Sequence, residues 1–217
     1  MYQTVFFDLD GTLTDSGPGI TNSVAHALKK WKIEVEDHST LNAFVGPPLA
    51  ESFAKYYGFA PEECKKAIEY YREYYTDRGM FENSVYPGIE ELLAHLKNTG
   101  RKVVVATSKP EVFAVQILEH FHLAQYFDRI AGASMDENRV EKADVLRYAI
   151  EAGGYDLSEA VMVGDRENDV RGARENHLPC IGVLYGYGSR AELEEAGADR
   201  IVETAEELKK YLDAETA

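Results

Sequence analysis

Three short polar motifs follow apolar runs along this chain, and their residue types suit metal binding and acid–base chemistry. They are Asp8-Leu9-Asp10-Gly11-Thr12, Thr107-Ser108-Lys109 and Gly164-Asp165-Arg166-Glu167-Asn168-Asp169. The runs at 4–8, 103–106 and 161–164 are short and largely apolar, which is typical of parallel strands buried on both faces. Because ligands of an open α/β sheet bind outside the carboxyl ends of its strands, we expect the three motifs to face one pocket.

In such a pocket Asp8, Asp10 and Asp165 would bring three carboxylates together, and these repel one another unless a cation lies among them. An all-oxygen ligand set suits a hard divalent ion such as Mg²⁺, whose coordination is completed by water and substrate phosphate. Thr107 and a lysine would supply donors to the same phosphate. The pattern therefore predicts a metal-dependent phosphoryl-transfer site.

The elements that must position these motifs alternate between strands and helices from Val103 onward, which indicates an α/β fold. Further strands are predicted at 129–131, 181–184 and 200–202. A segment without a clear strand interrupts this alternation and contains helical patterns at 20–31, 49–57 and 61–75. Turn-rich stretches at 16–19 and 83–88 indicate hinges at its ends.

We therefore predict an α/β core of residues 1–15 and 81–217 and a helical insertion of residues 16–80. The tyrosines of this insertion recur at helical spacing and are predicted to pack among its helices rather than to stack on bases. The loop at 46–49 is expected to reach the leaving group and to influence substrate choice.

The motifs resemble those of the haloacid dehalogenase-like phosphatases. Residues 8–16 are similar to the first motif of that family, Thr107 to the second and residues 164–169 to the fourth. For the third motif, a lysine, Lys142 is the counterpart by position and Lys109 is the alternative. The resemblance implies a doubly wound, Rossmann-like parallel sheet with an inserted α-helical cap over the site.

The resemblance also implies a role for each site residue. Asp8 would attack phosphorus to form an aspartyl-phosphate, and Asp10 would protonate the leaving alcohol and then activate water. The implied phosphate contacts are Thr107, Ser108, Lys142 and Gly11. The implied Mg²⁺ ligands are Asp8, Asp10 through its backbone carbonyl, Asp165 and Asp169, the last as a supporting ligand.

Residues 19–24, 45–49 and 185–189 resemble the phosphoglycolate phosphatase and 5′-nucleotidase-like branches. The implied function is Mg²⁺-dependent hydrolysis of a small phosphate monoester such as phosphoglycolate or a nucleoside 5′-monophosphate. A phosphomutase of the β-phosphoglucomutase kind is an open alternative, as are a phosphoaspartate signalling module and a silent protein that only binds phosphate esters. Asp10 argues against a true dehalogenase, because such enzymes lack the second aspartate of the first motif.

Composition limits the partners of the chain. Its formal net charge of −15 over 217 residues argues against binding a nucleic acid polymer or an anionic membrane. No apolar run approaches the roughly 18 residues of a membrane span, and the first residues lack the features of a signal peptide. We therefore expect a cytoplasmic protein, a monomer or weak homodimer, that acts on a small phosphorylated metabolite.

Overall fold

The computed structural model describes residues 2–136 and 138–214. Its strands are β1 (Thr4–Phe7), β2 (Thr14–Asp15), β3 (Ser84–Val85), β4 (Lys102–Pro110), β5 (Arg129–Ala133), β6 (Ala160–Gly164), β7 (Cys180–Val183) and β8 (Arg200–Val202). Its α-helices are α1 (Gly17–Lys29), α2 (Leu49–Tyr57), α3 (Pro61–Tyr75), α4 (Ile89–Asn98), α5 (Glu111–His120), α6 (Lys142–Gly153), α7 (Glu167–Glu175), α8 (Arg190–Ala196) and α9 (Ala205–Ala214).

The central sheet has six parallel strands in the order β5-β4-β1-β6-β7-β8. Because side chains alternate across a strand, Val5 and Phe7 of β1 enter one hydrophobic core while Phe6 enters the core on the opposite face. All three are completely buried. The apolar runs therefore form strands buried on both faces, and the predicted doubly wound α/β architecture is confirmed.

The order of the strands brings the three motifs together. The chain runs outward from β1 to β4 and β5, then returns to place β6 on the other side of β1. β1 is thus hydrogen-bonded to both β4 and β6, with Phe6 level with Val104 and Met162. This reversal of direction is the switch point at which open α/β sheets form their ligand sites.

Aromatic side chains pack against one another within the insertion. The Trp31 and Phe59 ring centroids lie 4.8 Å apart, and those of Tyr71 and Tyr75 lie 5.1 Å apart in a stacked pair. Tyr71 and Tyr75 are buried, as predicted for packing residues, whereas Tyr56 is 47% exposed. The boundaries proposed for core and insertion, at 15/16 and 80/81, stay predictions.

Two features at the ends of the insertion differ from the sequence-based expectation. The turn-rich stretch at 16–19 begins α1 instead of forming a separate hinge, since Pro18 occupies an early helical position where its missing N–H costs nothing. Next to it, β2 and β3 pair in antiparallel fashion, with Thr14 opposite Val85. Strands of two residues show no periodicity, so the sequence pattern could not reveal this connection. Among the described residues, no helix combines the length and apolar character needed to cross a bilayer.

Candidate active site

The carboxylates of Asp8, Asp165 and Asp169 form a buried cluster at the carboxyl ends of β1 and β6. One oxygen from each lies within 4.8 Å of the others. Asp8 follows β1 directly, and its backbone N–H donates to the Val163 carbonyl at 2.9 Å, which extends the strand pairing into the site. The sheet thus brings together carboxylates that lie more than 150 residues apart in the sequence.

Asp169 is positioned by the start of α7. Its Oδ2 accepts a hydrogen bond from the Arg166 backbone N–H at 3.0 Å, and a Cβ on Gly164 would lie only 2.2 Å from the Asp169 carboxyl carbon. Glycine at position 164 therefore provides the space in which this carboxylate turns toward the cluster. Asp169 is therefore both a first-turn acid of α7, where a negative charge interacts favourably with the helix dipole, and a member of the carboxylate cluster.

Asp165 is held by three neighbours. The Tyr187 backbone N–H donates to its Oδ2 at 2.7 Å, and the Thr12 hydroxyl donates to its Oδ1 at 3.3 Å. Gly11 has a φ of 81°, and a Cβ at that position would lie 2.2 Å from the same Oδ2. A side chain at position 11 would therefore strain the backbone and push Asp165 out of place.

Lys142 bridges two of the carboxylates. Its Nζ lies 2.6 Å from Asp8 Oδ1 and 2.7 Å from Asp169 Oδ1, and it donates to the Ala106 carbonyl at 3.0 Å. Burial lowers the pKa of this ammonium, but Asp169 and Asp8 more than offset that effect and raise its pKa above the usual value. Lys142 therefore remains charged although it is 5% exposed.

Lys109, the alternative lysine, contacts the other aspartate of the first motif. Its Nζ lies 2.9 Å from Asp10 Oδ2 and donates to the Tyr75 hydroxyl at 2.6 Å. Tyr75 belongs to α3 of the insertion, so Lys109 joins the insertion to Asp10. Burial raises the pKa of the Tyr75 phenol well above its usual value, and Tyr75 remains neutral. Helical spacing predicted Tyr75 only as a packing residue, and no sequence signal marked this contact.

Thr107 and Ser108 lie near the carboxyl end of β4, at the same edge of the sheet as Asp8. Thr107 is buried, and its hydroxyl accepts a hydrogen bond from the Lys109 backbone N–H at 3.2 Å. Ser108 lines the cavity described below. All the residues predicted for the site therefore lie at this edge of the sheet, while their roles stay predictions.

Two residues that the motifs did not assign also link the site to the insertion. Arg166 donates from Nη1 to the Val45 carbonyl at 2.7 Å and pairs through Nε with Glu192 at 2.8 Å. Tyr187 donates from its hydroxyl to Asp15 and accepts from the Gly17 N–H. The resemblance at 185–189 pointed to this loop, but no pattern predicted its contact with the start of the insertion.

The acidic cluster fits a divalent cation. Burial and the neighbouring carboxylates raise the pKa of Asp165 well above its usual value. Burial also raises the pKa of Asp169 to about 6, although the Lys142 ammonium opposes that shift. A second positive charge among these hard oxygen donors would stabilise their ionised forms, and Mg²⁺ has this ligand preference.

We expect Mg²⁺ to stabilise the protein more at about pH 7.5 than at about pH 5. In the metal-free folded chain the pKa of Asp169 is about 6, above its ordinary value of 3.8. The cost of ionising Asp169 in the fold is therefore absent below about pH 4 and fully present above about pH 6, so this group makes the metal-free protein less stable as pH rises through that window. Mg²⁺ binds the ionised form, and at a concentration 100 times its Kd it would add about 2.7 kcal/mol.

Thermal unfolding of EDTA-treated protein, with and without Mg²⁺ at both pH values, measures this effect. Asp165→Asn should remove most of the Mg²⁺-induced rise in Tm, whereas Asp77→Asn, at an exposed position, should retain it. An equal rise at both pH values, or a full rise in Asp165→Asn, would contradict the assignment of these ligands.

A cavity of about 270 Å³ separates the insertion from the core beside Asp10. Its walls are largely apolar and aromatic, with Phe44, Leu49, Ile68 and Phe113 among them. The loop at 46–49 also lines this cavity, while its contact with a leaving group stays a prediction. A molecule bound there would lie against Asp10 and would be covered by the insertion.

This chain is similar to known proteins in both sequence and structure. The family model described as haloacid dehalogenase-like hydrolase matches residues 5–183. A 5′-nucleotidase of Pseudomonas aeruginosa is 43% identical over 192 residues, which cover 88% of this chain and 87% of the relative. The tyrosine-protein kinase PtkA of Mycobacterium tuberculosis is 41% identical over 213 residues, which cover 97% of this chain and 72% of the relative. The crystal structure of a predicted phosphatase from Clostridium acetobutylicum has a TM-score of 0.96 and 57% identity, and the match covers 98% of each chain.

Proposed function

Because this chain belongs to the haloacid dehalogenase-like hydrolase family, we propose that it hydrolyses a small phosphate monoester with Mg²⁺ through an aspartyl-phosphate on Asp8. It is an enzyme of the phosphatase class, as the family and the similarity to a 5′-nucleotidase and a predicted phosphatase indicate. The observation that carries the proposal is the buried Asp8–Asp165–Asp169 cluster with Lys142 between two of its members. The substrate candidates are phosphoglycolate and nucleoside 5′-monophosphates.

Asp8 is the nucleophile in this proposal. Lys142 contacts its Oδ1 at 2.6 Å, which fixes the orientation of the carboxylate and balances part of the charge in the cluster. Asp8, Asp165 and Asp169 and the backbone carbonyl of Asp10 would hold the metal, with Asp169 as the supporting ligand. When bound, Mg²⁺ would neutralise the phosphate oxygens and let an anionic carboxylate approach phosphorus. Thr107, Ser108, Lys142 and Gly11 are the proposed contacts of the phosphoryl group.

Asp10 is the general acid and base. Its Oδ2 pairs with Lys109, whereas its Oδ1 is buried and makes no hydrogen bond within the described part of the chain. Because Asp10 lines the cavity, its protonated carboxyl can give a proton to the oxygen of a leaving group bound there and so become the carboxylate. The same carboxylate can then take a proton from the water that hydrolyses the aspartyl-phosphate. Coverage by the insertion would keep bulk water away from the intermediate.

The test is release of inorganic phosphate from phosphoglycolate, nucleoside 5′-monophosphates, sugar phosphates and p-nitrophenyl phosphate, with Mg²⁺ and with EDTA. We expect release that requires Mg²⁺. Isomerisation of a sugar phosphate without release would favour a mutase, and a long-lived phosphorylated protein would favour a signalling module. Transfer of phosphate from ATP to a tyrosine peptide without release from any monoester would favour the activity in the name of the mycobacterial relative.

Asp10→Asn should reduce hydrolysis of alkyl phosphates by about 10²-fold to 10⁴-fold. The amide can neither give a proton to the leaving alcohol nor take one from the attacking water. Nitrophenolate leaves without a proton, so p-nitrophenyl phosphate should still phosphorylate Asp8 and then stall. Rapid mixing should show a burst of nitrophenolate equal to the enzyme concentration. Near-native steady-state turnover of alkyl phosphates by this variant would rule out the role of Asp10.

A further inference from the structure

Arg72 is a cation on the wall of the cavity. Ile68, Tyr71, Arg72 and Tyr75 share one face of α3, since they lie at positions i, i+3, i+4 and i+7, and all four line the cavity. The Arg72 side chain is half-buried, and it makes no ion pair or hydrogen bond to any residue that the structure describes. In a chain with a net charge of −15, an arginine without a carboxylate partner in this position requires a separate explanation.

The other cation of the cavity is already engaged. Lys109 lies 2.9 Å from Asp10 Oδ2 and donates to the Tyr75 hydroxyl, so its charge is balanced within the protein. Arg72 is therefore available to balance a charge on a bound molecule. A guanidinium presents parallel N–H donors that match a carboxylate in two hydrogen bonds, and one positive charge balances one carboxylate.

The other residues that line the cavity indicate the chemistry of the rest of the bound molecule. Phe44, Leu49, Ile68 and Phe113 present apolar surface, which favours hydrocarbon over a polyhydroxylated sugar. A volume of about 270 Å³ exceeds what a two-carbon glycolate leaving group fills. The phosphoryl group would lie at Asp8 and its ester oxygen at Asp10, so the leaving group would extend from Asp10 toward Arg72.

We propose that Arg72 binds a carboxylate on the leaving group, so that the substrates are phosphate monoesters of hydroxy acids with an apolar or aromatic carbon skeleton. This inference rests on the proposed phosphatase function and selects among its possible substrates. Arg72 is a specificity residue, because it lies on the insertion and does not contact Asp8 or Asp10. A nucleoside, which carries no carboxylate, would leave the guanidinium without a partner.

The experiment compares acids with their own neutral amides. The probes are phosphoglycolate, 3-phosphooxypropionate, 4-phosphooxybutyrate and 4-(phosphooxymethyl)benzoate, each beside the corresponding amide, with kcat/KM measured by phosphate release in Mg²⁺. Each pair differs by one charge at nearly constant shape. We expect at least one of the longer acids to exceed its amide by about 10-fold to 100-fold, the range that a charge-assisted hydrogen-bonded pair provides.

Variants assign that preference to Arg72. Arg72→Gln should reduce the acid-to-amide ratio to about 1, and Arg72→Lys should recover part of it, because lysine keeps the charge but not the planar pair of donors. Lys66→Gln removes an exposed cation from the same helix and should leave the ratio unchanged. This control separates a local contact from a general change in net charge.

Two results would overturn the inference while leaving the phosphatase intact. One is phosphate release in which no acid exceeds its amide, and the other is a preference for the acid that survives in Arg72→Gln. If the proposed function itself is wrong, the observation will differ: no ester, p-nitrophenyl phosphate included, will release phosphate in the presence of Mg²⁺.

Discussion

Asp8→Asn is expected to lower kcat for phosphate release by on the order of 10⁴-fold or more, because an amide cannot form the acyl-phosphate that the proposed reaction requires. The substitution keeps the size of the side chain at a position that is 3% exposed, so the loss should not reflect a cavity in the core. It also removes one negative charge next to Lys142, which keeps Asp169 as its partner.

Phosphate release from p-nitrophenyl phosphate and mass spectrometry of the quenched enzyme measure the two consequences. Wild-type protein trapped at low pH during turnover should carry one phosphoryl group on Asp8, and the variant should carry none. Asp8→Glu is the matched control for charge, and we expect it to retain a Mg²⁺-induced rise in Tm while losing turnover through misplacement of the carboxylate. Near-native turnover in Asp8→Asn would mean that another residue is the nucleophile.

Lys142→Met should reduce the free energy of unfolding by about 3–5 kcal/mol and abolish turnover. The ammonium lies within 2.7 Å of carboxylate oxygens of both Asp8 and Asp169, and all three side chains are buried. Methionine has a similar length but no charge, so it would leave two buried carboxylates without their common partner. Because protonation relieves this repulsion, the destabilisation should be larger at about pH 7.5 than at about pH 5.

Urea denaturation at the two pH values, in EDTA, measures this difference. Lys102→Met is the matched control, since Lys102 pairs with Asp128 at 3.2 Å on the surface with its side chain 58% exposed. Such a pair contributes at most about 1 kcal/mol, so the control should remain close to wild type. If Lys142→Met proved as stable as Lys102→Met, the carboxylates would not depend on Lys142 for their charge balance.

The amino-acid sequence alone determined the sheet and the convergence of the motifs. Continuous apolar runs such as 103–106 have one favourable environment, which is a strand covered on both faces, and parallel strands bring their carboxyl ends to one edge. The boundaries of α2 and α3 were also predictable, because both helices begin and end where periodicity and Pro61 place them, whereas α1 begins three residues before the predicted 20–31. Local sequence patterns were sufficient for elements whose burial and backbone geometry depend on residues nearby in the sequence.

Only the tertiary structure distinguished the two candidate lysines. Lys109 lies near the end of β4 and contacts Asp10 and Tyr75 of the insertion, whereas Lys142 begins α6 and contacts Asp8. Arg72 likewise differs from the exposed cations of α3 only because it lies on the face of the helix that lines the cavity. These contacts join segments distant in sequence, and their distances depend on how the insertion packs on the sheet, a property that no local pattern contains.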